Sequence, residues 1–442
     1  MVLLYMKLKL NKRRTLLIAF AFFGVLMLWQ IYFYYGPLFL TKMLIDKFGH
    51  DDEYWANIVG HIMSIDNLSA IIIIPLFGWL SDRTHTYIGK RMPYIIWGCI
   101  VSLVLFPMIA VMYLINAFVW YFVVVALLVI AMATFRSPAV SLMPDVTPKP
   151  LRTEANAIIN FVGYLGAIVA SGLTMIFTVS KDGGSSGDNL TIIPFIITSI
   201  IMIIIVVVFL LKFFENKTVA SMKAELAEGE RQAQTFEHVQ EGKPLSKRDK
   251  LNFGILIAAV FFCWFAFNAL QTFGSLYGQN ILIADGGTNM WGMCSAALAI
   301  ASLIAFLPSI WVTKWIGRKW ASVMGPVIVV TALVLAALFV SHFGWLIYVL
   351  FAVSGIGWAL VMVNSYPMFV EMSHGKNIGR VTSLYYFVSQ GAMFITSNVS
   401  GYVFKYVGYK FYFWYAVIFM ACALFVAFFV VLPKRVPQLK QK

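Results

Sequence analysis

The sequence predicts an all-α membrane protein of twelve helices, and three observations carry that expectation. Of its 442 residues 61% are hydrophobic and only 12% charged, with a mean hydropathy of +0.84, a composition that suits lipid and leaves no stretch for a soluble domain. Apolar runs of about 20 residues or more recur from end to end, each long enough to cross a ~30 Å hydrocarbon layer as a helix. Nearly all of the 33 Lys and Arg fall on alternate loops and on the two termini, which is how positive charge distributes about a bilayer and which puts both termini in the cytoplasm. The formal net charge of +14 is thus a topology signal. Because the cations are divided loop by loop and do not share one surface, the bilayer is the expected partner and nucleic acid is not.

Span 1 is Thr15 to Leu40, aromatic in its outer half and carrying Trp29 and Gln30 deeper in. The basic residues ahead of it resemble a signal peptide, but the run is too long for one and lacks a small-residue cleavage site. After His50-Asp51-Asp52-Glu53, span 2 runs from Tyr54 to Ser81 with Asp66 about twelve residues in, roughly 18 Å and near the midplane. Span 3 is Pro93 to Ile115. Span 4 is Val119 to Pro144, with Arg136 inside it and Pro138 two residues on. Span 5 follows the basic loop to Asn156 and contains Gly163, Gly166, Ala167, Ala170, Ser171 and Gly172, small residues that let helices approach closely. The loop Gly183 to Gly187 leads to span 6, Ile192 to Leu211.

Residues 212–250 form the one long polar segment and divide six spans from six, so the chain reads as bundles 1–211 and 251–442 joined by a cytoplasmic linker. Within it Ser221 to Gln234, SMKAELAEGERQAQ, has the composition either of a surface helix or of a solvated linker. Spans 7 to 12 are Asn252–Tyr277, Met290–Thr313, Ala321–Val340, Trp345–Val370, Val381–Phe404 and Phe411–Leu432. Cys99, Cys263, Cys294 and Cys422 all lie in spans without metal-ligand or redox spacing. No nucleophile–base set or phosphate loop stands out, so no catalytic residue, cofactor or metal is expected and the chain is not read as an enzyme.

The most informative stretch joins spans 2 and 3: Gly78-x-x-x-Asp82-Arg83, then Gly89-Lys90-Arg91, closed by Pro93-Tyr94. It resembles the loop between helices 2 and 3 of the major facilitator superfamily, G-x-x-x-D-R-x-G-R-R, in the longer form of the glycoside–pentoside–hexuronide cation symporters and the related sucrose–proton symporters. Lys314-Trp-Ile-Gly317-Arg318-Lys319 is a degenerate echo at the corresponding place in the second half. The resemblance covers nearly the whole chain. It implies two pseudo-symmetric six-helix bundles with a central site between them, lined by helices 1, 4, 7 and 10, and gives Gly78, Asp82, Arg83, Gly89, Lys90 and Arg91 the role of a conformational gate.

Asp66 and Arg136 are the ionisable residues deep inside spans, His61 lying nearer the outer surface. Each costs about 2.5–3.5 kcal/mol to insert, so each needs a partner or water, and each is the natural partner of the other. A static pair locking two helices is one reading; the other is that Asp66 carries a proton, or that the pair orients a polar substrate. Counted from the cytoplasmic ends, Arg136 is about 9 Å shallower than Asp66. Melibiose-type sodium symporters have acids on helix 2 where this chain has Ala70 and Ile74, and an aspartate on helix 4 where it has Arg136. The resemblance therefore points to protons rather than sodium.

A sugar needs flat apolar faces and paired hydrogen-bonding groups. Trp264, Asn268 and Gln271 lie at i, i+4 and i+7 on one face of span 7; Trp358 and Asn364 lie on span 10 about 120° apart, with Tyr386 and Gln390 as further candidates on span 11. For each lone amide, interhelical bonding is an equal reading. The expectation is a monomeric cell-membrane transporter that carries a sugar, an oligosaccharide or glycoside, with protons by alternating access. The alternative is an efflux pump for drugs or other small molecules, though such a pump favours an acidic, aromatic cavity and not the arginine and amides found here.

Overall fold

The computed structural model describes residues 8–177, 189–239, 247–283, 289–371 and 378–431, and among these there is no strand. The first half comprises α1 (Lys12–Phe48), α2 (Asp52–Met63), α3 (Ile65–Arg83), α4 (Met92–Leu114), α5 (Phe118–Asp145), α6 (Arg152–Ile176) and α7 (Ile192–Lys212). Two linker helices follow, α8 (Glu215–Ser221) and α9 (Lys223–Val239). The second half comprises α10 (Lys247–Tyr277), α11 (Trp291–Ile316), α12 (Arg318–Phe339), α13 (Trp345–Glu371), α14 (Ile378–Val407) and α15 (Tyr412–Phe428).

Among the described residues, 11 spans are long and apolar enough to cross a membrane, α2 and α3 together counting as one. The remaining rod, α14, is a helix of 30 residues, roughly 45 Å. Its lower apolarity has a local cause: Ser389, Thr396, Ser397 and Ser400 are buried on it against protein, where their hydroxyls bond carbonyls instead of meeting lipid.

Helix pairing in the first half recurs in the second. α1 packs on α6 and α7 as α10 packs on α14 and α15; α5 packs on α3 and α4 as α13 packs on α11 and α12; α4 packs on α7 as α12 packs on α15. The chain is thus two equivalent bundles, joined across their interface by α2 with α14, α6 with α11 and α1 with α10.

At the end away from the linker the bundles touch backbone to backbone. A side chain at Gly60 would strike the Ser397 carbonyl, and one at Gly401 would lie 2.7 Å from the Ala56 carbonyl oxygen. Tyr34 Oη donates to the Asn289 carbonyl at 2.9 Å, the Tyr409 N–H donates to Glu53 at 3.1 Å, and His61 bonds Asn398 and Tyr402. Gly60→Leu is accordingly expected to hold this seam open. The check is a cysteine placed at Asn57, which should react several-fold faster with a membrane-impermeant maleimide in the Gly60→Leu background; an unchanged rate would show that the seam does not depend on this approach.

Span 2 departs from the expected single helix. It breaks at Ser64, which lies at φ −80°, ψ −15°, with its hydroxyl donating to the His61 carbonyl at 2.7 Å. Ser69 does the same to the Asp66 carbonyl, also at 2.7 Å. Short hydroxyl side chains that bond nearby carbonyls compete with the helical ladder, and here they bracket Asp66.

Candidate functional site

The turn at Ser64 puts Asp66 in the first turn of α3, where its carboxylate accepts the Asn67 N–H at 2.6 Å. Asp66 is buried, at 5% exposure, and its surroundings include Tyr32 of α1 and Arg136 of α5. The pairing expected of Asp66 with Arg136 is not made in this conformation: no nitrogen of Arg136 comes within 4.0 Å of the carboxylate. Arg136 is near enough to both Asp66 and Tyr386 of α14, in the second half, to interact electrostatically with each.

On the first-half side Trp29 stacks on Phe33 at 5.7 Å and meets Tyr32 edge-on at 5.8 Å. Its indole Nε1 is buried without a protein partner, and so is Asn67 Nδ2 beside Asp66. Gln30 is half-buried. On the second-half side Trp358 stacks face to face on Phe267 at 3.8 Å, and Trp264 stands edge-on to Trp358 at 5.3 Å. Tyr164 of α6, from the first half, lies close to Trp358, and Tyr385 of α14 lies close to Trp264. The two tryptophans proposed on separate helices therefore form one cluster, which Phe267 and Tyr164 complete. Neither had a sequence signal beyond being aromatic.

The amides divide differently. Asn268 is fully buried and its Nδ2 donates to Ser397 Oγ at 2.8 Å and to the Met393 carbonyl at 3.1 Å, which ties α10 to α14. Asn364 is likewise buried, its Nδ2 donating to Thr313 Oγ1 at 3.0 Å and to the Leu360 carbonyl at 2.8 Å. Both donor ends thus hold helices together, while both Oδ1 atoms lack a partner. Gln271 and Gln390 are half-buried and Tyr386 is exposed.

At the linker end the gate stretch forms a compact electrostatic knot. Arg91 is 4% exposed: its Nε donates to Asp145 Oδ2 at 3.0 Å, its Nη1 to Ser81 Oγ at 2.5 Å and the Gly78 carbonyl at 3.3 Å, and its Nη2 to Asp82 at 2.5 Å. Lys90 adds Asp145 at 3.0 Å. Gly78 lets α3 approach α5, since a side chain there would meet Ser137 Oγ. Arg83 turns outward over the Trp79 ring. Glu215, from the linker, is 1% exposed and accepts the backbone N–H groups of Lys90 (3.2 Å), Arg91 (2.9 Å) and Met92 (3.1 Å), so it caps the start of α4. Gly89 has φ +129°, and Glu215 fills the space where its side chain would be. The adjoining Asn216 donates to the carbonyls of Thr86 and Tyr87, and Glu230 of α9 pairs with Lys149 at 2.6 Å. The described linker residues from Glu215 to Val239 are therefore helical, and they dock on the first bundle. Asp145 and Glu215 were not among the expected gate residues; the available signal was that Asp145 directly follows the expected end of span 4, and Glu215 lies four residues past the expected end of span 6, both at this face.

Among the described residues no group of three or more His, Cys, Asp and Glu side chains could hold a metal ion.

A profile of the family described as MFS/sugar transport protein matches residues 15–416. No curated protein matches the sequence at a significant level. Solved structures similar in fold include an auto-inhibited POT family peptide transporter (TM-score 0.68, 13% identity, 96% of this chain and 99% of that one). A POT peptide transporter in complex with alafosfalin has TM-score 0.63 and 14% identity, over 94% of both chains. A POT family transporter in complex with 5-aminolevulinic acid has TM-score 0.65 and 12% identity, again over 94% of both. At these identities the likeness establishes the shared fold.

Proposed function

The chain belongs to the MFS/sugar transport protein family, and from that premise we propose that this multi-pass membrane transporter carries a sugar, an oligosaccharide or glycoside, by proton symport. The observation that supports a sugar is the company of aromatic rings and buried polar atoms without protein partners in the two bundles. Trp264, Phe267 and Trp358 supply flat apolar surface. Trp29 Nε1 and Asn67 Nδ2 are donors, and Asn268 Oδ1 is an acceptor, without protein partners. Buried polar atoms call for hydrogen bonds, and a polyhydroxylated substrate both donates and accepts them.

Coupling rests on Asp66. At this depth an acid without a contacting cation is costly as an anion, and the approach of Arg136 is what would change its hold on a proton. The basic loops support placing the linker end in the cytoplasm. In this reading the closed seam at the far end supports an inward-facing conformation in the cell membrane, the gate stretch is the element that the two states pack differently, and a single chain is the working unit.

The test is counterflow in proteoliposomes with a panel of mono- and disaccharides, dipeptides and cationic dyes. A sugar should drive exchange, and Trp264→Ala should weaken its apparent affinity about tenfold, the loss of one aromatic contact of ~1.4 kcal/mol. Exchange driven only by dipeptides or dyes would overturn the sugar reading.

A further inference from the structure

The turn between α11 and α12, Lys314-Trp315-Ile316-Gly317-Arg318-Lys319-Trp320, holds in the second bundle the place that the gate knot holds in the first. The two differ in how the charge of their lysines is met. In the first, Arg91 and Lys90 are neutralised by Asp82 and Asp145. The second has no acid anywhere from Trp311 to Trp320. Among the described residues neither Lys314 nor Lys319 has a carboxylate within 4.0 Å. Lys319 lies instead over the rings of Trp320 and Phe428, 5.8 Å from each.

Apolar surface leads straight into these charges. Ile304, Leu307, Trp311 and Trp315 are all exposed and follow one another at i, i+3, i+7 and i+11, one stripe along α11, with Trp315 at 92% exposure. The opposite stripe is the one bound to α13: Ser302 Oγ donates to the Gly355 carbonyl at 2.9 Å, and Thr313 Oγ1 accepts from Asn364 at 3.0 Å. The exposed stripe is therefore turned away from the bundle, toward lipid. Gly317, at φ +83°, reverses the chain in one residue, so Lys314 at the end of α11 and Lys319 at the start of α12 flank one turn. The first N–H groups of α12 point the same way.

We propose that this turn binds an anionic phospholipid of the leaflet on the linker side. The phosphate of the head group sits between Lys314 and Lys319 at the start of α12, Trp315 and Trp320 hold the glycerol level, and an acyl chain lies along Ile304, Leu307 and Trp311. The aromatic and basic residues stand in the order in which a phospholipid presents its own parts to a helix end. The proposal does not depend on the transported substrate, because it uses neither the central cluster nor the gate.

Two measurements on the full-length protein test it. In vesicles of phosphatidylcholine containing brominated phosphatidylglycerol, tryptophan fluorescence should be quenched more than with brominated phosphatidylcholine at equal mole fraction. That excess should be lost in Trp315→Phe/Trp320→Phe. Lys314→Gln/Lys319→Gln should weaken the head-group preference about 30-fold, at roughly a factor of five per lysine. Native mass spectrometry of the same lysine variant should show one fewer phosphatidylglycerol adduct and unchanged phosphatidylcholine adducts, a readout that a general loss of folding would not give. An excess that survives the lysine substitutions overturns the proposal. So does an excess abolished by millimolar inorganic phosphate, which would mark the site as one for the free anion and not for a lipid.

Discussion

Asp66→Asn is expected to abolish accumulation of substrate against a gradient while leaving exchange and downhill entry in place. The amide is nearly isosteric, still accepts the Asn67 N–H that holds the carboxylate at 2.6 Å, and bonds hydroxyls, but it carries no proton through the cycle. In proteoliposomes under a pH gradient the internal to external ratio should fall to about one, with counterflow retained. Arg136→Ala separates the two readings of the pair. Were the side chains in contact, removing the arginine would strand a buried carboxylate at a cost of about 3–5 kcal/mol. They are not in contact here, so the protein in this conformation should lose much less stability while transport fails, because the lost interaction belongs to another step. The double variant Asp66→Asn/Arg136→Gln decides: if it regains proton-driven uptake, Asp66 is not the coupling acid.

Glu215→Ala should produce the largest loss of stability of any linker substitution. It leaves three N–H groups at the start of α4 without their charged acceptor, about 2–4 kcal/mol after water has entered the vacated space, or a fall in melting temperature of roughly 3–6 °C. Arg91→Gln should cost about as much, since it takes the cation from between Asp82 and Asp145. Because Glu215 occupies the space beside Gly89, Gly89→Ala and Glu215→Ala should be less than additive. Thermal unfolding in detergent is the check, and wild-type stability in Glu215→Ala would show that the cap is ornamental to the fold.

What was legible in the sequence follows from how lipid constrains a chain. A span must close all its own backbone hydrogen bonds over a fixed thickness, so its existence is written in about 20 consecutive residues. Its ends are not: α1 runs from Lys12 to Phe48, past the expected Thr15 and Leu40, because a helix continues wherever its charged ends reach water. The gate stretch was legible because its glycines and charges lie within a short run, whereas Asp145 and Glu215 meet Arg91 from 54 and 124 residues away. Asp66 and Arg136 were conspicuous as charges in apolar surroundings, but whether they touch depends on helix depth and rotation. Periodicity placed Trp264 and Asn268 on one face and still did not show that Asn268 spends its donor on α14. The break at Ser64 was hidden because serine is an ordinary residue in a membrane helix.

The docking of the linker helices on the first bundle also shortens the leash between the two bundles. With α8 anchored by the Glu215 carboxylate and α9 held at Lys149, the chain between the bundles narrows to residues 240–246, from the end of α9 at Val239 to the start of α10 at Lys247. Eight peptide steps reach at most about 28 Å. While α9 stays held at Lys149, that length is a ceiling on the distance between the end of α9 and the start of α10; release of Glu230 and then of Glu215 would lengthen it.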